Sequence, residues 1–330
     1  MGRMSMPEPT STSRAQASIS VIVPSHNCGH LIAETLDSIL AQTLTVEQII
    51  VVGDGSSDDT ANVLGRYRNP RIQYLQRPHE GRVSACNAGL DAARGEFITF
   101  LHAGDRWSPT FAERMHDFLA EDPGIACCFS NFVYLDEATG KMLGDQFSHY
   151  PEIKRPTLLR DAPHAHGRIP KERAFGALVA CSDIPAYLQV MMFRRSAIEN
   201  LHFESSLGPG AAISFALQVF MRGMVVFTDE ILAIVRQPAS NGTADQDLAV
   251  EKLSGLKAVA PQVTRDRDVA PYQERLIKAH IDAALTLMKR GQVRAALRTH
   301  KEAFKFPGSG MRKFQGSLRL LVALPRGLVK

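Results

Sequence analysis

The chain has 330 residues and a formal net charge of +4, enough for one large or two ordinary domains. A hydrophobic fraction of 45% with 22% charged residues is that of a folded globular protein, and the near-balanced charge gives no electrostatic argument for nucleic acid. Five cysteines with no CxxC spacing (Cys28, Cys86, Cys127, Cys128 and Cys181) argue for reduced, buried thiols in a reducing compartment rather than a disulfide framework or a zinc site.

Residues 1–17 are rich in Ser, Thr, Pro and Met and lack the apolar stretch of a signal peptide, so they read as a disordered tail. Residues 19–23 predict a first strand closed by Pro24, with His26 and Asn27 in the turn that follows. A helix is expected over 31–41 and a continuously apolar strand over 49–52, as in a sheet covered on both faces. That strand ends at Gly53-Asp54-Gly55-Ser56-Ser57, where Ser57 can cap a helix over 58–67. A strand over 72–75 and a helix over 81–93 lead to the run 97–101. This run ends in the polar turn His102-Ala103-Gly104-Asp105, and Ser108-Pro109 then suits a helix start.

Strand and helix thus alternate through the first hundred residues, which predicts a mainly parallel sheet with crossover helices. Such sheets bind ligands at the carboxyl ends of their strands, where His26, Asp54 and Asp105 fall. Further on, the pattern predicts a helix over 111–120, a strand over 125–135 with a hairpin-like turn at 136–140, and a strand over 189–193. A short helix over 196–200, a helix over 211–222 and strands over 225–228 and 231–235 follow. Residues 145–175 show no period and read as a long surface loop. Past residue 240 the chain is helical. Two amphipathic helices over 273–289 and 292–304 break at Gly291 and resemble one tetratricopeptide-like hairpin, which must dock on something. Residues 305–330 carry Lys305, Arg312, Lys313, Arg319, Arg326 and Lys330 among leucines and no acid.

The order of these motifs resembles the family 2 glycosyltransferases of the GT-A fold. The carriers are residues 19–27, the run QIIVVGDGSSDDT over 48–60, the Gly-x-x-x-Ala-x-Asn-x-Gly-like start at 81–89, the turn within 96–109, and residues 203–223. The resemblance covers about residues 18–240. It implies an α/β, Rossmann-like domain, with 241–330 as a helical extension. It also implies a nucleoside diphosphate sugar ligand, transferred with inversion to a polysaccharide or lipid-linked acceptor. The resemblance makes Pro24, His26, Asn27, Asp54, Asn87, His102, Asp105 and Arg236 expected nucleotide-sugar contacts, and Arg82, which is near but not at the family's arginine position, could also reach a phosphate. Mn²⁺ or Mg²⁺ would sit under the diphosphate, with Asp105 and His102 the ligands that remain.

The departures from the family pattern fall on functional positions. Gly53 stands where the first acid of the second-strand turn is usual, and Cys86 where an Arg is frequent. Gly104 replaces the metal-binding Asp, Ala211-Ala212 the Glu-Asp pair that supplies the base, and Pro238 the late His. An alanine cannot take a proton from an acceptor hydroxyl. Two readings stay open: an enzyme with relocated chemistry, for which Glu204, Asp183 and the His164/His166 pair are candidates, and an inactive relative acting as a binding or scaffold protein. The basic tail has two readings as well, a solvated end docked by its apolar side or a segment lying on an anionic membrane from the cytoplasmic face.

Overall fold

The structure is a computed structural model and describes residues 18–149, 159–161, 166–181, 187–237, 244–308 and 310–323. In chain order, β1 (Ile19–Ser25), α1 (Ile32–Leu40), β2 (Gln48–Asp54), α2 (Thr60–Leu64), β3 (Ile72–Arg77), α3 (Arg82–Ala92) and β4 (Phe97–Phe100) build the expected alternation. Then come β5 (Arg106–Trp107), α4 (Phe111–Glu121), β6 (Ile125–Asp136), β7 (Met142–Asp145), α5 (Gln146–His149), β8 (Leu159–Asp161), β9 (His166–Ile169) and α6 (Lys171–Val179). The chain continues through β10 (Met191–Arg194), α7 (Arg195–Ile198), α8 (Gly210–Phe220) and β11 (Met224–Gln237). The helical extension is α9 (Ala244–Ala258), α10 (Asp266–Lys289), α11 (Val293–Glu302) and α12 (Gly310–Val322).

One sheet runs in the order β3-β2-β1-β4-β10-β6-β11-β9-β8, with β5 on β11 and β7 on β6. It is parallel from β3 to β4. β10 then enters antiparallel between β4 and β6, and β6 and β11 run parallel again. The apolar runs of β1, β2 and β4 serve both faces. Ile22, Ile50, Val52, Ile98 and Phe100 join a cluster with α3 and α8. Ile19, Val21, Val23, Ile49, Val51 and Phe97 join the opposite cluster with α1 and α4. Alternate residues of a strand point to opposite faces, so a run apolar at every position is what a two-sided core requires. Each such side chain removed from water stabilises the fold by about 1.5–3 kcal/mol.

Several expected elements differ. Residues 145–175 are not a structureless loop where they are described: β9 pairs antiparallel with β11, and Phe147, Ile169 and Phe175 are buried in the core. The absence of a period arises because these short pieces complete one edge of the sheet rather than form a layer. Helix α4 begins at Phe111, not at Ser108-Pro109, because Arg106 and Trp107 first pair with Ile234 and Ala233 of β11. Helix α2 is shorter than expected, and Asp58 rather than Ser57 holds its start by accepting from the Thr60 N–H. The two expected strands at 225–235 are one strand with register shifts.

The extension shares the sheet's core. Leu253, Leu256, Val259, Tyr272, Leu276 and Ala279 belong to the same cluster as Phe215 and Phe175. The Tyr272 hydroxyl donates to the Leu256 carbonyl at 2.7 Å and ties α10 to α9. Gly291 takes φ +74° at the break between α10 and α11, as the sequence expected. The tail to residue 323 forms α12, which lies on α10: a Cβ on Gly316 would come within 2.8 Å of Ile281, and Leu320 is buried. Residues 1–17 and 324–330 lie outside the described residues.

Candidate active site

The carboxyl ends of β1, β2 and β4 and the start of α3 surround two adjoining cavities. The smaller, about 330 Å³, is lined by Pro24, His26, Asp54, His79, Gly81 and Arg82, among others. The larger, about 560 Å³, is bounded by the 102–105 turn, the start of α8, the ends of β6 and β11, and α9. Arg82, His102 and Ala103 line both, so the two form one cleft with Arg82 and His102 at the waist.

The smaller cavity is held by the ends of β1 and β2. Asn27 sits at φ +48° and its side-chain oxygen accepts from the Ser57 N–H at 2.8 Å, so it joins the two strand-end turns and does not line either cavity. Asp54 is buried. Its carboxylate accepts from the Glu80 N–H at 2.7 Å and the Gly81 N–H at 3.1 Å and lies 3.0 Å from His79 Nδ1. This acid therefore also shapes the loop that leads into α3. The His26 and His79 rings stack with centroids 4.4 Å apart. A Cβ at Gly53 would meet the Tyr74 hydroxyl at 2.5 Å, so a larger residue there needs the Tyr74 side chain to shift.

Arg82 is the first residue of α3 and is exposed. Among the described residues its guanidinium makes no hydrogen bond, yet its charge reaches both members of the 102–105 turn. Asn87 is oriented away from this role. Its side-chain amide donates to the Phe203 carbonyl and accepts from the Phe203 N–H, both at 2.8 Å, which fixes the approach to α8. Cys86 is buried in the core, and burial pushes its thiol up to about 12.

The 102–105 turn is stitched from within. The Gly104 N–H donates to Thr35 Oγ1 at 2.9 Å, and that hydroxyl donates to the Asp105 carbonyl. Gly104 itself has φ +101°, a region that L residues rarely adopt. Asp105 Oδ1 accepts from the Arg236 N–H at 2.8 Å. The Arg236 side chain donates to the Gly104 carbonyl at 3.2 Å and pairs with Glu34 at 3.0 Å, so it braces the turn although it also lines the larger cavity. Burial raises the Asp105 carboxyl to about 7, against the opposing pull of Arg236 and Arg82. Burial and the Arg82 charge lower His102 to about 3, so its ring is neutral at pH 7.

These residues do not fit Mn²⁺ or Mg²⁺. Hard divalent cations take several oxygen ligands. The turn offers one carboxylate, already bonded to Arg236 and pushed by burial toward its protonated form. His102 Nδ1 stands 3.9 Å from Asp105 Oδ2, and two arginines add positive charge. The third expected ligand position is a glycine with left-handed backbone.

The base position holds Ala211 and Ala212 at the start of α8, both on the wall of the larger cavity. Of the proposed replacements, Glu204 is exposed and accepts from Ser206 Oγ, and His166 lies on β9 against Phe118; neither lines the cleft. Asp183, His164 and Pro238 lie outside the described residues. The polar groups that do line the larger cavity include Tyr134, Glu137, Tyr187, Gln189 and Lys252. The sequence could not single these out, because they come from β6, its turn, the segment before β10, and α9, which only the folded chain brings together. Trp107 is packing, as its stack on Phe111 at 4.2 Å and its N–H to the Gln189 carbonyl show.

A half-parallel sheet with a nucleotide-sized cleft at its strand ends, covered by a helix carrying the base position, is the GT-A arrangement of glycosyltransferases. Residues 20–179 match the family model "Glycosyl transferase family 2". The chain is 28% identical to the chondroitin synthase of Pasteurella multocida (strain Pm70) over 142 residues, 42% of its own length but only 14% of that protein's. It is 30% identical to the uncharacterized glycosyltransferase EpsJ of Bacillus subtilis over 224 residues, 66% of this chain and 61% of EpsJ. The fold overlays on S. aureus TarS 1-349 in complex with UDP with a TM-score of 0.59, covering 93% of this chain and 88% of that one at 15% identity.

Proposed function

We propose that this chain binds a nucleoside diphosphate sugar along the cleft and transfers the sugar, with inversion, to a polysaccharide or lipid-linked acceptor. The nucleoside lies in the smaller cavity at Pro24, His26 and Asp54, and the sugar and acceptor in the larger. The observation that carries this reading is the Arg82 guanidinium, without a hydrogen bond among the described residues, at the junction of the two cavities. A diphosphate placed there receives a bidentate cation, and the charge that develops on the leaving group is met by an arginine rather than a hard metal ion. Neutral His102 adds a hydrogen-bonding ring nitrogen without electrostatic cost. Inversion is a single displacement, in which the acceptor hydroxyl loses its proton as it attacks the anomeric carbon. Ala212 cannot take that proton, and Glu137 on the β6–β7 turn is the exposed carboxylate lining the same cavity.

Support comes from the match of residues 20–179 to the glycosyl transferase family 2 model and from the UDP complex of TarS. A second reading, a binding protein without transfer activity, is favoured by Gly104 and Ala212 standing where the metal ligand and base are usual. Titration calorimetry with UDP and GDP, with and without Mn²⁺, tests binding. Metal-independent affinity that falls about tenfold or more in Arg82→Ala is expected, equivalent to about 1.4 kcal/mol. No affinity for either nucleotide would sink both nucleotide-based readings. Release of nucleoside diphosphate from a nucleotide sugar, lost in Glu137→Gln with binding intact, identifies the enzyme; binding without release identifies the second reading.

We also place the chain at the cytoplasmic face of a membrane, peripherally, through residues 305–330. No helix among the described residues is long and apolar enough to cross one. Support is the exposure on α12 of the large apolar side chains Phe314 and Leu318 within a tail that carries basic and no acidic residues.

A further inference from the structure

We infer that His26, Asp54 and His79 form a binding site for a borderline divalent cation of the Zn²⁺ type, at the nucleoside end of the cleft and separate from the 102–105 turn. One donor atom from each of the three residues lies within 4.8 Å of the others. The His79 Nδ1 to Asp54 Oδ2 separation is 3.0 Å. Ligand atoms about 2.0–2.1 Å from a tetrahedral zinc stand roughly 3.3 Å apart, so this edge needs little movement to accept the ion. The two imidazole rings are exposed and stack on each other at 4.4 Å.

The site is built from below. Asp54 is buried, and its carboxylate is oriented by the Glu80 and Gly81 N–H groups, the kind of outer hydrogen bonding that fixes a ligating carboxylate. His26 Nδ1 hydrogen-bonds the Asp54 carbonyl oxygen at 2.5 Å and Asn27 Nδ2 stands 3.1 Å from Nε2, so the ion takes the place of one of these two contacts. Two imidazoles and one carboxylate favour Zn²⁺, Ni²⁺ or Cu²⁺ over Mg²⁺ and Mn²⁺, which prefer all-oxygen sets. Three protein ligands leave a fourth position. Because all three residues line the smaller cavity, a small ligand can reach the ion. The inference does not depend on the proposed transfer activity, since the ion is detected directly.

The test is equilibrium dialysis of the full chain against Zn²⁺, with Co²⁺ as a spectroscopic probe. The expected result is one ion per chain and the intense visible bands of four-coordinate Co²⁺. His26→Ala/His79→Ala should weaken uptake about 100-fold or more, a change of roughly 2.7 kcal/mol. His202→Ala, at an exposed histidine paired with Asp91, should retain full uptake. The single variants His26→Gln and His79→Gln give the same readout should the double variant fail to fold. Absence of stoichiometric uptake, or uptake unchanged by the His26 and His79 substitutions, overturns the inference.

Discussion

Gly104 decides what the 102–105 turn can do. With φ +101° and its N–H bonded to Thr35, an Asp here is strained by about 1–3 kcal/mol before it meets any metal. A Cβ at this position would also approach Leu31 at 3.2 Å. Gly104→Asp is therefore expected to lower the melting temperature and to leave Mn²⁺ affinity unchanged in calorimetry; a gain in Mn²⁺ affinity would refute this account of the turn. Asp105 has a measurable linkage. Its folded carboxyl is raised from 3.8 to about 7, so it binds its proton more tightly folded than unfolded. The stability this contributes is full below about pH 4 and is lost as pH rises to about 7. Asp105→Asn should therefore gain stability relative to the wild type between pH 4 and pH 8, by up to about 4 kcal/mol from three units at 1.36 kcal/mol each. Denaturant titrations at the two pH values check it, and a pH-independent difference would count against the burial of this carboxyl. The sequence located both residues at the ligand edge. It could not show that one has left-handed backbone and the other a carboxyl tied to Arg236, a residue 131 positions away.

At the scale of elements, the wall of the larger cavity depends on how α8 crosses α9. The helices touch through glycines: a Cβ on Gly255 would lie 2.2 Å from the Gly210 carbonyl oxygen, and one on Gly210 would lie 2.3 Å from the Glu251 carbonyl oxygen. Backbone cannot yield as a side-chain tip can. Gly255→Ala is expected to separate the helices, cost about 1–3 kcal/mol, and move Ala212 and Lys252, which face the larger cavity from the two helices. The loss appears as a lower urea midpoint; an unchanged midpoint would show that the crossing is looser than its geometry. Strands β1, β2 and β4 and helices α1 and α8 were legible in the sequence because each has a continuous apolar run or a helical period. Strand β9 and helix α6 were not, because short pieces at a sheet edge carry too few residues to show a period, and their burial comes from partners such as Phe227 and Tyr272.

At the scale of the molecule, the helical extension and the sheet have one core, and α12 stands at its outer edge. Phe314 and Leu318 are exposed, so among the described residues their replacement removes little buried surface. Phe314→Glu/Leu318→Glu should therefore abolish flotation with anionic vesicles while leaving the melting temperature within a degree or two; unchanged flotation would remove the membrane from the proposal. What the sequence by itself determined is the order of strands and helices, the family they resemble, and the strand ends where His26, Asp54 and Asp105 gather. Those are set by local periodicity and by turn residues next to one another in the chain. Tertiary structure alone decided that Arg236 and Asn87 are tied into bracing bonds while Arg82 makes none among the described residues. It also decided that His79 joins His26 and Asp54, and that Glu137 and Lys252 share a wall with Ala212. Hydrogen-bond partners and burial arise between residues far apart in sequence, and no local pattern encodes which polar side chains folding leaves for a ligand.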